Sequence, residues 1–290
     1  MRVAHAARLV ALAAVCMACA PEGAGEEAAA SCRIVQPSKP LPPGLPESSG
    51  LAASRAHEGL LWTHNDSGDR SEVFAVDAAG GLHGVSNIVG ARNDDWEDVA
   101  VGPCAAGSCL YVADTGDNER KREETYVYRV AEPEPGSPSA RAERLTVRYP
   151  DHPRDTEAIF VLPPGDVYLV TKGRQDSQTL YRYRPGTVEK IVDLAPGPAA
   201  VQRQITAASA SPSGEWVAIR EYKLLSIYRT ADLLARNTTP ALRMDLTPVG
   251  EAQGEGVALL DNGRVVLSSE GGFKDSPGTI AILQCQLPAG

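Results

Sequence analysis

Short apolar strings recur along the chain in one order, each introduced by a polar triplet and followed by a glycine-bearing turn. The introductory strings are Glu47-Ser-Ser-Gly-Leu-Ala, Asp95-Trp-Glu-Asp-Val-Ala, Asp155-Thr-Glu-Ala-Ile-Phe, Thr206-Ala-Ala-Ser-Ala-Ser and Gln253-Gly-Glu-Gly-Val-Ala. Between equivalent apolar positions their spacings are 48, 60, 51 and 47 residues. A hairpin-sized turn follows each, at 55–59, 104–109, 163–166, 211–214 and 261–263, and each holds a glycine for the positive φ that such turns require. Second strands are expected at 60–63, 110–113, 167–171, 216–220 and 265–269, apolar on both faces as in strands sandwiched between layers. Third strands follow at 72–76, 126–130, 180–183, 226–229 and 279–283. The fifth unit lacks a fourth strand after it, and Cys32-Arg-Ile-Val can take that place beside the strand that carries Cys285.

A strand-rich repeat near 50 residues implies an all-β chain folded as a single β-propeller. Five four-stranded blades are expected, with a six-blade ring containing one degenerate blade as the alternative. Closure by the N-terminal strand would leave the ring without a free edge.

The chain starts differently. Arg2, His5 and Arg8 lead into an apolar run at 9–18, too short to span a bilayer and long enough for the core of an export signal. Residues 1–19 therefore read as a signal peptide, 20–31 as a disordered tether of Gly, Ala and Glu, and 32–290 as the propeller. Cys19 is placed for lipidation, with simple cleavage after Ala18 or Ala20 as the alternative. The expected location is periplasmic, extracellular or an outer surface, with membrane attachment only through a lipid anchor.

Cysteine usage agrees with export. Cys32, Cys104, Cys109 and Cys285 remain after the leader, an even count without paired Cys-x-x-Cys units, which favours disulfides over metal ligation. Cys104–Cys109 would clamp one turn, and Cys32–Cys285 would staple the first strand to the last. A net charge of −9 argues against nucleic acid as a partner.

In an up-and-down blade, the entry to the first strand and the loop after the second lie at one end, so they ring the mouth of the central channel. Two residues before each opener's apolar position stand Ser49, Glu97, Glu157, Ala208 and Glu255, and four before stand Glu47, Asp95, Asp155, Thr206 and Gln253. The loops add His64, Asn65, Asp66, Asp69, Asp114, Asp117 and Asn118, and a position shared by Lys172, Arg220 and Glu270. Converging carboxylates either hold a hard cation, commonly Ca²⁺, or raise one another's pKa values. Glu97, Glu157 and Glu255 read equally as metal ligands and as latches accepting backbone N–H groups of the next blade. Asn65 and Asp66 read equally as ligands and loop formers. His64 is the candidate general base, with a structural histidine as the alternative. Asp69, Asp117, Lys172, Arg220 and Glu270 are candidates to contact a ligand. No serine-nucleophile elbow, zinc-peptidase helix, phosphate-binding loop or EF-hand loop occurs.

The strings Glu47-Ser-Ser-Gly-Leu-Ala, Trp62-Thr-His-Asn-Asp-Ser-Gly-Asp, Asp95-Trp-Glu-Asp-Val-Ala, Leu110-Tyr-Val-Ala-Asp-Thr-Gly-Asp-Asn and Leu169-Val-Thr-Lys together resemble a group of exported bacterial β-propeller proteins without assigned activity. More loosely, a blade-start Glu with Asn and Asp at the mouth is similar to the calcium-dependent lactonase and paraoxonase propellers. Five blades with inner glutamates are similar to the calcium-activated apyrases. Those resemblances imply a central Ca²⁺ that polarises an ester or phosphate oxygen, with Glu47, Asn65, Asp66, Asp114 and Asn118 as the positions that carry over. Two functional readings follow: a propeller that binds an unidentified small molecule or protein at its mouth with a structural Ca²⁺, or a Ca²⁺-dependent hydrolase of an ester, lactone or phosphoester.

Overall fold

Alternating buried strings broken by positive-φ glycines fold as antiparallel hairpins laid side by side. In the computed structural model, Met1 and residues 30–288 are described, apart from Asp69, Ala106 and 273–275. The signal peptide, the tether and Cys19 lie outside the described residues. After β1 (Ser31–Pro40), the first blade comprises β2 (Ser48–Ala53), β3 (Leu60–Asn65), β4 (Glu72–Asp77) and β5 (Leu82–Asn87). The second holds β6 (Trp96–Cys104), β7 (Gly107–Asp114), β8 (Thr125–Ala131) and β9 (Glu143–Val147). The third holds β10 (Thr156–Leu162), β11 (Asp166–Thr171), β12 (Gln178–Arg184) and β13 (Thr187–Ala195). The fourth holds β14 (Ile205–Ala210), β15 (Trp216–Glu221), β16 (Leu224–Arg229) and β17 (Leu242–Asp245), with a short helix α1 (Thr230–Leu234) before its last strand. The fifth holds β18 (Gln253–Leu259), β19 (Arg264–Glu270) and β20 (Thr279–Gln286).

Each blade is a four-stranded sheet, and the fifth runs β18-β19-β20-β1, so the N-terminal strand supplies its outer edge. Cys32 pairs with Cys285 in the β1–β20 register, and the two form a disulfide. The second disulfide joins Cys104 to Cys109 across the β6–β7 turn. Both expected bridges, the five blades and the N-terminal closure are present.

Apolar residues bury themselves between blades rather than within one. Trp62 and Val73 of the first blade pack on Val99, Leu110 and Val112 of the second, and Tyr111 and Val127 of the second on Ile159, Val161 and Leu169 of the third. Equivalent clusters lie at the other three junctions, including the fifth-to-first, where Val266 and Ile280 meet Leu51 and Leu61. Such burial gives each junction on the order of 25 cal/mol per Å² of apolar surface removed from water.

Polar groups set the register of blade on blade. Ser49 donates its hydroxyl to the Glu97 carbonyl at 2.6 Å, Thr115 to Thr156 at 2.8 Å, and Thr206 to Glu255 at 3.0 Å. Arg220, wholly buried, donates to the carbonyls of Gly256 at 2.7 Å and Ser268 at 3.0 Å and pairs with Glu251, tying the fourth blade to the fifth.

Candidate metal centre at the channel mouth

The innermost strands β2, β6, β10, β14 and β18 begin at one end of the ring, and the loops after β3, β7, β11, β15 and β19 return there. Backbone bonds fix the equivalences. The amide of Asp66 donates to Glu47 O at 3.1 Å, Lys172 to Asp155 O at 3.0 Å and Tyr222 to Gln204 O at 3.2 Å. The fourth blade therefore sits two residues from the register expected from its sequence. Gln204 occupies the position of Glu47 and Asp155, Thr206 that of Glu97 and Glu157, and Tyr222 that of Lys172. The opener Thr206-Ala-Ala-Ser-Ala-Ser carries no large apolar residue to mark register. Strand pairing, with Ile205 opposite Glu221 and Ala207 opposite Arg220, marks it instead.

Two overlapping groups of carboxylates form at this end. One oxygen each from Asp66, Asp95 and Glu97 lie within 4.8 Å of one another, and so do one each from Glu97, Asp155 and Glu157. Glu97 belongs to both. Lys172 Nζ lies 2.6 Å from Glu157 Oε1 and 3.9 Å from Asp155 Oδ2. Asp155 Oδ1 accepts the amide of Asp117 at 2.9 Å, whereas its buried Oδ2 has no hydrogen-bond partner. Gly116 is the residue that lets the groups meet. A Cβ there would stand 2.0 Å from Glu97 Oε1 and 2.4 Å from Asp95 Oδ2.

Crowding of acids in a dry site pushes protons on. Burial, then the Glu157 charge, holds the Glu97 carboxyl well above the usual range. Burial pushes Glu157 up to about 8 against the opposing pull of Lys172. Asp95 is pushed to about 6 by burial and by Asp66 and Asp155, and Glu270 to about 7 by burial and by Asp66 and Glu47. Glu255 is raised well above its ordinary value by burial and then by Glu270. For Lys172, burial works downward, but Glu157, Glu97 and Asp155 outweigh it and keep the ammonium charged.

The remaining candidates are distributed as follows. Glu47 is exposed at the rim, and its amide donates to Asn65 Oδ1 at 3.3 Å while Asn65 Nδ2 donates to Gly44 O at 2.8 Å. Asp114 takes the Asp95 amide at 3.0 Å and Arg122 Nη2 at 3.1 Å. Asp117 accepts the amides of Lys121 and Arg122, both at 2.8 Å, as a loop former does. Asn118 is exposed and accepts from Arg174 at 2.6 Å. Glu255 takes Gln253 Nε2 at 2.8 Å, and it falls outside both three-carboxylate groups. Asp69 lies outside the described residues. Arg220 is interior, and Tyr222 stands at the mouth where Arg220 was aligned.

His64 is wholly buried, edge-on to Trp96 with ring centroids 5.5 Å apart, and its Nδ1 lies 2.9 Å from Asn65 O. Burial drops its pKa to about 4, so it is neutral at physiological pH.

Asp95 and Asp155 were legible as members of the ring but not as partners of Glu97, because the proximity of their oxygens depends on the loop at Gly116. Asp98 was not singled out at all. Its wholly buried carboxylate accepts the amides of Val99 at 2.8 Å, Ile159 at 2.9 Å and Ala208 at 3.1 Å, and it also takes that of Leu51. The latch anticipated for the glutamates belongs to this neighbour.

No family model and no curated protein matches the chain in sequence. Among solved structures it is similar to the PQQ-bound form of aldose sugar dehydrogenase from Streptomyces coelicolor, with TM-score 0.56, 12% identity and coverage of 89% of this chain and 98% of that one. It is also similar to regucalcin, a calcium-binding protein from Agrobacterium tumefaciens (TM-score 0.47, 11% identity, 88% and 96% covered). A gluconolactonase from Xanthomonas campestris gives TM-score 0.46 and 12% identity, with 93% and 100% covered. At these identities the likeness concerns fold alone.

Proposed function

We propose that the mouth binds a hard divalent cation, with Ca²⁺ the best match, and that the chain is an exported propeller presenting this centre to a small-molecule or protein partner. The observation that carries the reading is the pair of buried carboxylate groups sharing Glu97, with Asp155 Oδ2 left without a hydrogen bond. The donor set is all oxygen, which Ca²⁺ and Mg²⁺ prefer, and its uneven carboxylates suit the flexible coordination of Ca²⁺ better than an octahedral Mg²⁺ shell. The donors fit such an ion, because neighbouring acids held partly protonated for want of positive charge are the groups a cation would ionise. The leader at 1–19 and two disulfides support export.

A second reading, hydrolysis of an ester, lactone or phosphoester, is favoured by one observation. Half-buried Glu270, which belongs to neither three-carboxylate group, is pushed to about 7, where a carboxylate can act as a base near neutral pH. In that reading a bound cation would polarise the substrate oxygen, and the acids at the rim would hold or move the proton of attacking water. His64 is given no step, since it is sealed from the mouth.

The test is calcium titration of EDTA-stripped protein by calorimetry and thermal melting. At a free concentration of about 100 Kd the ion should add roughly 2.7 kcal/mol, a rise in Tm of about 5–10 °C for a chain of this size. Absence of heat and of any Tm shift sinks the metal reading. Turnover of lactone or phosphoester panels that requires Ca²⁺ and vanishes in Glu97→Gln would select the hydrolase over the binding protein.

A further inference from the structure

The two carboxylate groups at the mouth differ in burial, since Asp66 and Asp95 are half-buried where Asp155 and Glu157 are buried, and they differ in charge. The group of Glu97, Asp155 and Glu157 already contains a cation, since Lys172 Nζ lies 2.6 Å from Glu157 Oε1 and 3.9 Å from Asp155 Oδ2. Its side chain is 9% exposed and enters from the end of β11, so it is built into the group rather than laid over it. The group of Asp66, Asp95 and Glu97 forms no salt bridge among the described residues. On that side the Arg122 guanidinium is engaged elsewhere, by Asp114 at 3.1 Å and by the Gly116 carbonyl at 2.8 Å.

We infer that the mouth is a two-cation centre in which Lys172 is a tethered occupant of one position: a divalent ion binds at Asp66, Asp95 and Glu97, and the ammonium keeps a second ion out of the position at Glu97, Asp155 and Glu157. The inference rests on the metal reading above and assigns the ion its place. An independent sign that the guarded position can hold an ion is Asp155 Oδ2. It belongs to a residue 9% exposed, lies inside the protein without a hydrogen bond, and stands at a long 3.9 Å from the ammonium. A single compact ammonium with three donors satisfies Glu157 closely and Asp155 only at a distance. A divalent ion at that position would have oxygens from both within reach. Repulsion between Lys172 and a second divalent ion forbids that outcome while the lysine is present. Lys172 thus sets stoichiometry and position, and it does so without reaching a ligand at the open face.

Stripped wild-type protein, Lys172→Gln and Lys172→Arg are dialysed against CaCl₂ and their bound metal is counted, with circular dichroism and melting as controls of folding. One ion per chain is expected in wild type and in Lys172→Arg, and two in Lys172→Gln. One ion in a folded Lys172→Gln protein, or two in wild type, overturns the inference and leaves the metal reading standing. No ion in either protein removes the metal reading and the inference with it. For the case in which Lys172→Gln does not fold, affinity in two other variants decides. Asp95→Asn should weaken Ca²⁺ binding by about thirty-fold or more and Glu157→Gln by about threefold or less. Equal losses in the two would place the ion at the shared or guarded position and overturn the assignment.

Discussion

Asp98 Oδ2 accepts the amide N–H of Ile159 at 2.9 Å, so a carboxylate on the second blade holds the backbone of the third. The same oxygen takes the amide of Ala208 on the fourth blade at 3.1 Å, and Oδ1 takes that of Val99. A side chain with no solvent contact thereby joins innermost strands that share no sheet. Asp98→Asn keeps the size but turns an NH₂ toward backbone donors, which strands at least one buried N–H. The expected cost is about 2–4 kcal/mol. Urea denaturation of the stripped protein measures it, and a loss below about 1 kcal/mol would show that the carboxylate is not what closes the ring.

Blade number, strand order and both disulfides were readable because apolar strings, positive-φ glycines and cysteine positions are local signals that agree with one another. Register in the fourth blade was not readable. Thr206-Ala-Ala-Ser-Ala-Ser offers small residues at every step, so the choice between Ala208 and Ala210 as the inward position is made by the Asp98 carboxylate and by the Thr206 hydroxyl on Glu255 O. The same slip hid Tyr222 and placed Arg220 at the mouth. Asp98 itself follows directly on Glu97 in Asp95-Trp-Glu-Asp. Successive strand residues face opposite ways, and sequence alone does not say which of two adjacent acids faces the ligand and which the neighbouring backbone.

The Arg220–Glu251 pair is buried on both sides, with Arg220 bonded in addition to Gly256 O and Ser268 O. Removing one charge leaves the other uncompensated, so Arg220→Met should cost about 3–5 kcal/mol, while the double variant Arg220→Met with Glu251→Leu should recover part of that loss. A double-mutant cycle in urea reads the coupling. Additive single losses would mean that the two charges act independently.

The disulfides should differ in worth. Cys32–Cys285 closes a loop of separation 253, and Cys104–Cys109 one of separation 5. On chain-entropy grounds the first is worth on the order of 5 kcal/mol and the second roughly 2. Cys32→Ser with Cys285→Ser should therefore lower the urea midpoint more than Cys104→Ser with Cys109→Ser, and the reverse order would show that strain or unfolded-state structure dominates.

Stability and pH are linked through the mouth in a direction opposite to ordinary acid denaturation. Asp95, Glu270 and Glu157 have folded pKa values of about 6, 7 and 8 against ordinary values of 3.8, 4.5 and 4.5. The folded state therefore binds more protons, and this contribution, full below about pH 4, is lost as pH rises from about 4 to 8. His64 acts the other way. Its folded pKa of about 4 lies below the ordinary 6.5, so its contribution is present above pH 6.5 and lost toward pH 4. Over pH 4.5 to 6 three carboxyls outweigh one imidazole, so stripped protein should melt highest near pH 4 to 5 and lose Tm along an alkaline limb that runs to pH 8, where added Ca²⁺ restores it. Glu157→Gln should flatten the alkaline limb, and His64→Gln should steepen it below about pH 6.5. An alkaline limb that persists unchanged in Glu157→Gln would remove that glutamate as its source.

Gly116 provides the sharpest separation of site from scaffold. A methyl group there would meet Glu97 Oε1 at 2.0 Å and Asp95 Oδ2 at 2.4 Å, so both carboxylates must move. The contacts are to the ends of two side chains rather than to backbone, and Asp95 is half-buried. Gly116→Ala is therefore expected to keep the propeller, with stability changed by about 1 kcal/mol or less, while weakening Ca²⁺ binding at least ten-fold. Calorimetry and melting of one sample give both numbers. Retained affinity would show that the ion does not lie between Asp95 and Glu97, because no arrangement of those two oxygens around an ion survives the added carbon without a shift larger than a coordination bond tolerates.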